Sequence, residues 1–198
     1  MYLAGTATFN LTMNSTQFTC SSTGGFGAVS DLQQVLTNVN STFPQVKGNI
    51  FTLESTATGE INSYFNSYEK CNTTTNGAVF YLYKNQILTD YRSNYRQNAA
   101  VKGGALFCEN CKAYFNSTVF YYNAAKQASI VLLKSTVAPG VDVTFYNTTL
   151  SDGFAADKGG AVSTEGSAQG IVRFIDCSII QFFTAFNDGG FFNIDNPN

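Results

Sequence analysis

The sequence predicts an all-β chain, folded as a right-handed single-stranded parallel β-helix (a β-solenoid) of about seven coils. Three observations predict it. A short block recurs about every 27 residues along the 198. Within that block apolar residues alternate with polar ones, as in strands, and show no 3.6-residue period. The composition also favours strands: 18 Phe, 11 Tyr and 17 Gly stand beside 58 Asn, Thr and Ser, with few strong helix formers.

The first element of the block is a glycine corner. It reads Gly103-Gly104-Ala105-Leu106-Phe107, Gly159-Gly160-Ala161-Val162-Ser163 and Gly189-Gly190-Phe191-Phe192-Asn193. Gly77-Ala78-Val79-Phe80 and Gly27-Ala28-Val29-Ser30 are shorter copies, and Gly48-Asn49-Ile50-Phe51 and Ala128-Ser129-Ile130-Val131 are degenerate ones. Landmarks at 27, 48, 77, 104, 128, 160 and 190 define the spacing. Glycine suits a corner because it takes positive φ and permits close approach.

The second element is a strand with an Asn-rich end. Its copies begin at Ile61, Ile87, Ala113, Val143 and Val172. Stacking them places Phe115, Phe145 and Phe174 in one inward aromatic column, with Asn116, Asn147 and Asp176 at equivalent phases. Asn tolerates the left-handed region and bonds to its stacked copies as a ladder. The third element is short, as in Gln97-Asn98-Ala99-Ala100 and Tyr122-Asn123-Ala124-Ala125, and puts Ala99, Ala124 and Ala155 in a small-residue column. Each coil then has about three strands. Coils stack about 4.8 Å apart through parallel ladders, so seven rise roughly 34 Å. Parallel crossovers are right-handed, which sets the hand. One β-helix domain covers residues 1–198, alone or within a longer chain.

Composition also excludes functions. Charged residues are 12% and the net charge is −2, so no basic surplus exists to neutralise the phosphates of a nucleic acid. Histidine is absent, which removes Ser-His-Asp triads, Cys-His pairs and imidazole metal sites. No apolar run reaches about 18 residues, so no membrane span is expected. The opening Met1-Tyr2-Leu3-Ala4-Gly5-Thr6 lacks a charged and an apolar leader region, which fits a cytosolic chain or a mature or internal piece.

Five cysteines cannot all pair within one chain. Cys108 and Cys111 form the one close pair. C-x-x-C also occurs in redox and zinc sites, but a zinc site needs a second pair or histidines and a redox motif wants a helix after a strand. A local disulfide, or two reduced thiols at a turn, is the expectation there; Cys20, Cys71 and Cys177 are left without an assigned role. No metal site is expected. Six Asn-x-Ser/Thr sequons, at Asn10, Asn14, Asn40, Asn72, Asn116 and Asn147, point to N-linked glycans and an extracellular setting. Asn40, Asn116 and Asn147 fall at similar phases of the repeat, on one exposed side.

The Gly-Gly-Ala-aliphatic corner after an Asn-x-Ala segment resembles the pectin-lyase-like right-handed β-helix superfamily. The Phe-x-Asn and Gly-Gly-Ala phrasing is most similar to polymorphic outer membrane protein repeats and related ciliate surface β-helix proteins. The likeness is strongest over residues 87–193. It implies a secreted or surface-displayed protein, adhesive or structural and often non-catalytic.

Two other readings compete. Asp142, Asp152, Asp157, Asp176 and Asp188, with Arg173 nearby, would suit a polysaccharide lyase or hydrolase if they shared a groove. Against this, Asp152-Gly153 and Asp188-Gly189 are ordinary turn dipeptides. Tyr91, Tyr95, Tyr121 and Tyr122 would suit an adhesin-like module recognising a carbohydrate or cell-surface partner, if their rings face outward; packing between coils is their structural alternative. No catalytic residue and no cofactor besides glycans is assigned. Neither end reads as a cap: residues 1–12 carry no amphipathic helix, and Phe191–Asn198 stays strand-like. Caps then come from a longer chain, or copies self-associate through the open ends into a filament.

Overall fold

The structure, a computed structural model, describes residues 59–84, 86–180 and 183–195, together with the backbone of six strands within the first 58 residues. It is an all-β parallel solenoid of about five turns, with no helix among the described residues. About seven coils were expected. The difference arises at the start of the chain, where the landmarks Gly27 and Gly48 lie outside the described residues.

Four parallel sheets run along the axis. Sheet A has eight strands: Leu3–Ala4, Ala28–Ser30, Phe51–Leu53, Phe80–Tyr83, Leu106–Glu109, Val131–Lys134, Val162–Glu165 and Phe192–Asp195. Sheet B has seven: Phe9–Asn14, Gln34–Val39, Glu60–Tyr64, Ile87–Tyr91, Lys112–Asn116, Asp142–Tyr146 and Ile171–Ile175. Sheet C has six: Thr42–Pro44, Ser67–Glu69, Asn94–Arg96, Val119–Tyr121, Thr149–Ser151 and Ser178–Ile180. Sheet D has four: Ala99–Lys102, Ala124–Gln127, Phe154–Lys158 and Thr184–Ala185.

A complete turn therefore visits four strands, one more than the sequence suggested. The extra strand is the short one of sheet C, such as Val119–Tyr121, which a left-handed corner separates from the strand Lys112–Asn116 before it, and the Asn-Ala-Ala block forms sheet D. Its small residues do form a column, but the register is Ala100, Ala125, Ala155 and Ala185, one place later than expected for the first two. Ala99 and Ala124 begin their strands and are only half-buried, because successive strand residues face opposite sides.

Corners between sheets use the left-handed backbone region. Phe65, Arg92, Ser117, Asn147 and Asp176 take φ between 47° and 57° where sheet B turns into sheet C. Lys70, Gln97, Tyr122 and Asp152 do the same between sheets C and D. Most of these residue types dislike that region. Six of these corners are held by the neighbouring coil: for example, Phe65 N–H donates to Tyr91 O at 2.9 Å, Arg92 N–H to Asn116 O at 2.9 Å and Ser117 N–H to Tyr146 O at 3.0 Å. Asn116 thus sits one residue before the Ser117–Asn147–Asp176 corner column, not in phase with it.

The glycine pair has two separate jobs. Gly103 has φ +64°, and a Cβ there would lie 2.0 Å from Leu106 O. At Gly104 a Cβ would lie 2.1 Å from Ser129 O, a backbone atom of the next coil. The first glycine turns the chain and the second lets coils approach.

Candidate functional site

Inward residues build continuous columns through the lumen. Phe115, Phe145 and Phe174 share one register line in sheet B. Their rings stack in parallel, 5.2 Å from Phe115 to Phe145 and 5.0 Å from Phe145 to Phe174. A second column in sheet C runs Tyr68, Tyr95, Phe120, Leu150, Ile179. Its rings stack at 4.8 and 4.7 Å. Edge-to-face contacts join the columns, with Phe115 and Phe120 centroids 5.2 Å apart.

The first column changes character toward the N-terminus. Below Phe115 the same line holds Asp90 and then Ser63, both buried. Where this column becomes polar, its neighbour becomes hydroxylated, as Phe120 gives way to Tyr95 and Tyr68. Tyr68 Oη and Ser63 Oγ are 2.8 Å apart, and Asn66 Nδ2 donates to Ser63 Oγ at 2.9 Å. Thr118 Oγ1 donates to Asp90 Oδ2 at 2.8 Å. Burial pushes the Asp90 carboxyl up to about 6, against the opposing pull of the Ser63, Ser93 and Thr118 hydroxyls. Burial, followed by the Asp90 charge, raises the Tyr95 phenol well above its ordinary value.

An asparagine ladder forms at the corner between sheets C and D. Asn98 Nδ2 donates to Asn123 Oδ1 at 3.0 Å and Asn98 N–H to the same oxygen at 3.1 Å. Asn98 Oδ1 accepts from Cys71 N–H at 3.0 Å. These are buried residues, unlike Asn116 and Asn147, which were expected to form the ladder. The usable signal was the repeated Asn-Ala-Ala tripeptide, whose Asn follows a left-handed residue and so turns inward.

At the C-terminal end the columns stop in the open. Leu150 is fully buried, but Ile179 above it is 55% exposed. Ile194 ends the sheet A column that contains buried Leu82, Cys108 and Leu133, and is 68% exposed. Val172 and Phe174 are half-buried where Val143 and Phe145 are sealed. A groove of about 450 Å³ opens there, lined by Val141, Val172, Phe192 and Ile194 with Ser135 and Gln169. Ile171–Ile175, Ser178–Ile180, Thr184–Ala185 and Phe192–Asp195 each pair on one side only among the described residues.

The five aspartates do not converge. Asp142 projects outward from sheet B and pairs with Arg173 one coil on. Asp152 and Asp176 occupy left-handed corners. Asp157 accepts from Asn187 Nδ2 at 2.7 Å, and that hydrogen bond is the main cause holding its carboxyl below the ordinary value. Asp188 lies 3.8 Å from Lys158. No group of three metal-ligating side chains comes together among the described residues.

The tyrosines separate. Tyr95 is not an outward ring; it lies in the lumen. Tyr91, Tyr121 and Tyr122 face out, with Tyr121 and Tyr122 centroids 4.2 Å apart. Asn116 and Asn147 adjoin one outer corner, where Asn147 Nδ2 donates to Ser117 Oγ at 3.1 Å. Asn72 is exposed beside sheet D. Asn10 and Asn14 fall in the strand Phe9–Asn14, of which only backbone is described, and Asn40 and Cys20 lie outside the described residues. Cys108 and Cys111 are joined by a disulfide at the corner between sheets A and B. Cys71 is buried beside the Glu69 carbonyl, and Cys177 is a half-buried thiol of the last coil. No helix among the described residues is long and apolar enough to cross a membrane.

The chain matches no family model, no curated protein and no solved structure.

Proposed function

We propose that this chain is a non-catalytic structural β-solenoid that stacks end to end into a filament or surface fibre. In this reading it is one domain over residues 1–198, of the pectin-lyase-like kind and nearest to polymorphic outer membrane protein and ciliate surface repeats. It is N-glycosylated and works outside the cell, with copies of itself as its main partner.

One observation carries the reading: at the last described coil the inward columns are left unsealed. Four edge strands there present unpaired backbone groups, and Ile179, Ile194, Phe174 and Phe192 present apolar surface. A second solenoid placed on this end extends four parallel ladders and buries those side chains. Head-to-tail contact of this kind does not close, so it propagates. The aspartates sit at corners and in ion pairs, which favours scaffold over catalyst.

Sedimentation velocity across a concentration series tests it. The full chain is expected to form species that lengthen with concentration. Ile179→Asp combined with Ile194→Asp should leave a folded monomer, because both side chains are already exposed in the single chain. Size independent of concentration in the unaltered chain would sink the stacking reading.

A further inference from the structure

The outer face of sheet C carries two guanidinium groups held over aromatic rings. Arg96 lies 5.8 Å from the Tyr121 ring centroid. Arg92, at the adjoining corner, lies 5.0 Å from the Tyr91 ring and 5.9 Å from Phe65. Neither arginine forms an ion pair among the described residues. Glu69, the register partner of Arg96 on the previous coil, accepts instead from Ser67 Oγ at 3.1 Å. A groove of about 390 Å³ opens beside Arg96, lined by Glu69, Asn94, Arg96, Val119 and Tyr121. Tyr122, whose ring lies 4.2 Å from that of Tyr121, has 52% of its surface exposed.

We propose that this face binds a sulfated glycan. A guanidinium lying over a ring keeps its planar N–H edge free, and that fork matches two oxygens of one anion. Exposed tyrosine rings offer a flat apolar platform to the face of a sugar. Asn94 supplies amide donors and an acceptor to hydroxyls. Tyr121 touches both Tyr122 and the Arg96 guanidinium, so a sugar seated on Tyr122 engages the fork through an arm projecting beyond its ring. A sulfate ester has that arm; a carboxylate fixed directly to the ring does not reach as far. Arg92 and Arg96 are four residues apart, on the order of 13 Å at most along an extended chain, so a polymer with repeated anions engages both. The site is lateral, and it stands independently of stacking through the ends.

Titration calorimetry of the full chain against heparin, alginate, dextran and phosphatidylserine vesicles tests it. Heparin is expected to bind, with affinity that falls as salt rises, and the other three to bind at least about tenfold more weakly. Arg96→Gln should weaken heparin binding about tenfold or more, and Arg96→Lys, which keeps the charge and loses the fork, by a similar factor. Tyr122→Ala should weaken it about fivefold, while Lys126→Gln, on the outer face of sheet D, leaves it unchanged. Circular dichroism checks that each variant folds. No heparin binding, equal or tighter binding of alginate or dextran, preference for the vesicles, or full affinity in folded Arg96→Gln would each overturn the proposal. A chain that binds heparin yet stays monomeric supports this site while removing the stacking reading.

Discussion

Asp90 occupies a position where the next three coils carry phenylalanine, and the lumen is rebuilt around it. Ser63, Ser93, Thr118 and Tyr95 surround a carboxyl whose value is raised from 3.8 to about 6 in the fold. The sign of the pH effect follows from that rise. Well below pH 3.8 the group is neutral in folded and unfolded chains alike, and its burial carries no charge penalty. Between about 4 and 6 the unfolded chain ionises first, so stability falls as pH rises; above that the loss is complete, about 3 kcal/mol at 1.36 kcal/mol per unit. Urea denaturation of the unaltered chain and Asp90→Asn at pH 4 and pH 7.5 measures it, since the difference between them cancels the other carboxylates. The unaltered chain should lose more stability than the variant on going to pH 7.5. Gly103 makes a different demand. Its positive φ and the nearby Leu106 carbonyl exclude a side chain, and Gly103→Ala should cost at least about 2 kcal/mol in the same denaturation experiment.

The strands and columns show which parts of the fold were legible. The Gly-Gly corner and the Phe115–Phe145–Phe174 line stood out because each repeats one chemical type at one place in three coils. The fourth strand, in sheet C, did not, because it is only three residues long and follows the sheet B strand across a corner made by ordinary residues such as Arg92 and Ser117. The corners were hidden for a related reason. Phe65, Lys70, Arg92 and Gln97 adopt a conformation that their residue types avoid, and a hydrogen bond to the next coil holds them there. Tyr95 was read as a surface ring because nothing local marks it as inward; its register with Tyr68 and Phe120 does. Column packing has a measurable gradient. Phe145 is sandwiched between two rings, so Phe145→Ala should cost about 3–5 kcal/mol. Phe174 has a ring on one side along the column, and Phe174→Ala should cost clearly less in a monomeric background. Equal losses at the two positions would contradict the open-ended column.

At the scale of the whole molecule, stability and the proposed assembly rest on the same interaction. Every internal coil is covered above and below, while the last described coil is covered on one side. A charge-poor chain of net charge −2 offers little electrostatic resistance to its own copies approaching end-on. Such stacking would also change the gradient above, because Phe174 would gain a neighbour and its truncation would then cost as much as that of Phe145. Electron microscopy of the purified full chain is the most direct measurement. The account predicts unbranched filaments whose long-axis diffraction shows the roughly 4.8 Å coil spacing, and their disappearance when Ile179 and Ile194 are both changed to Asp. Isolated particles of one solenoid's length at every concentration, identical for the unaltered chain and the double variant, would contradict it.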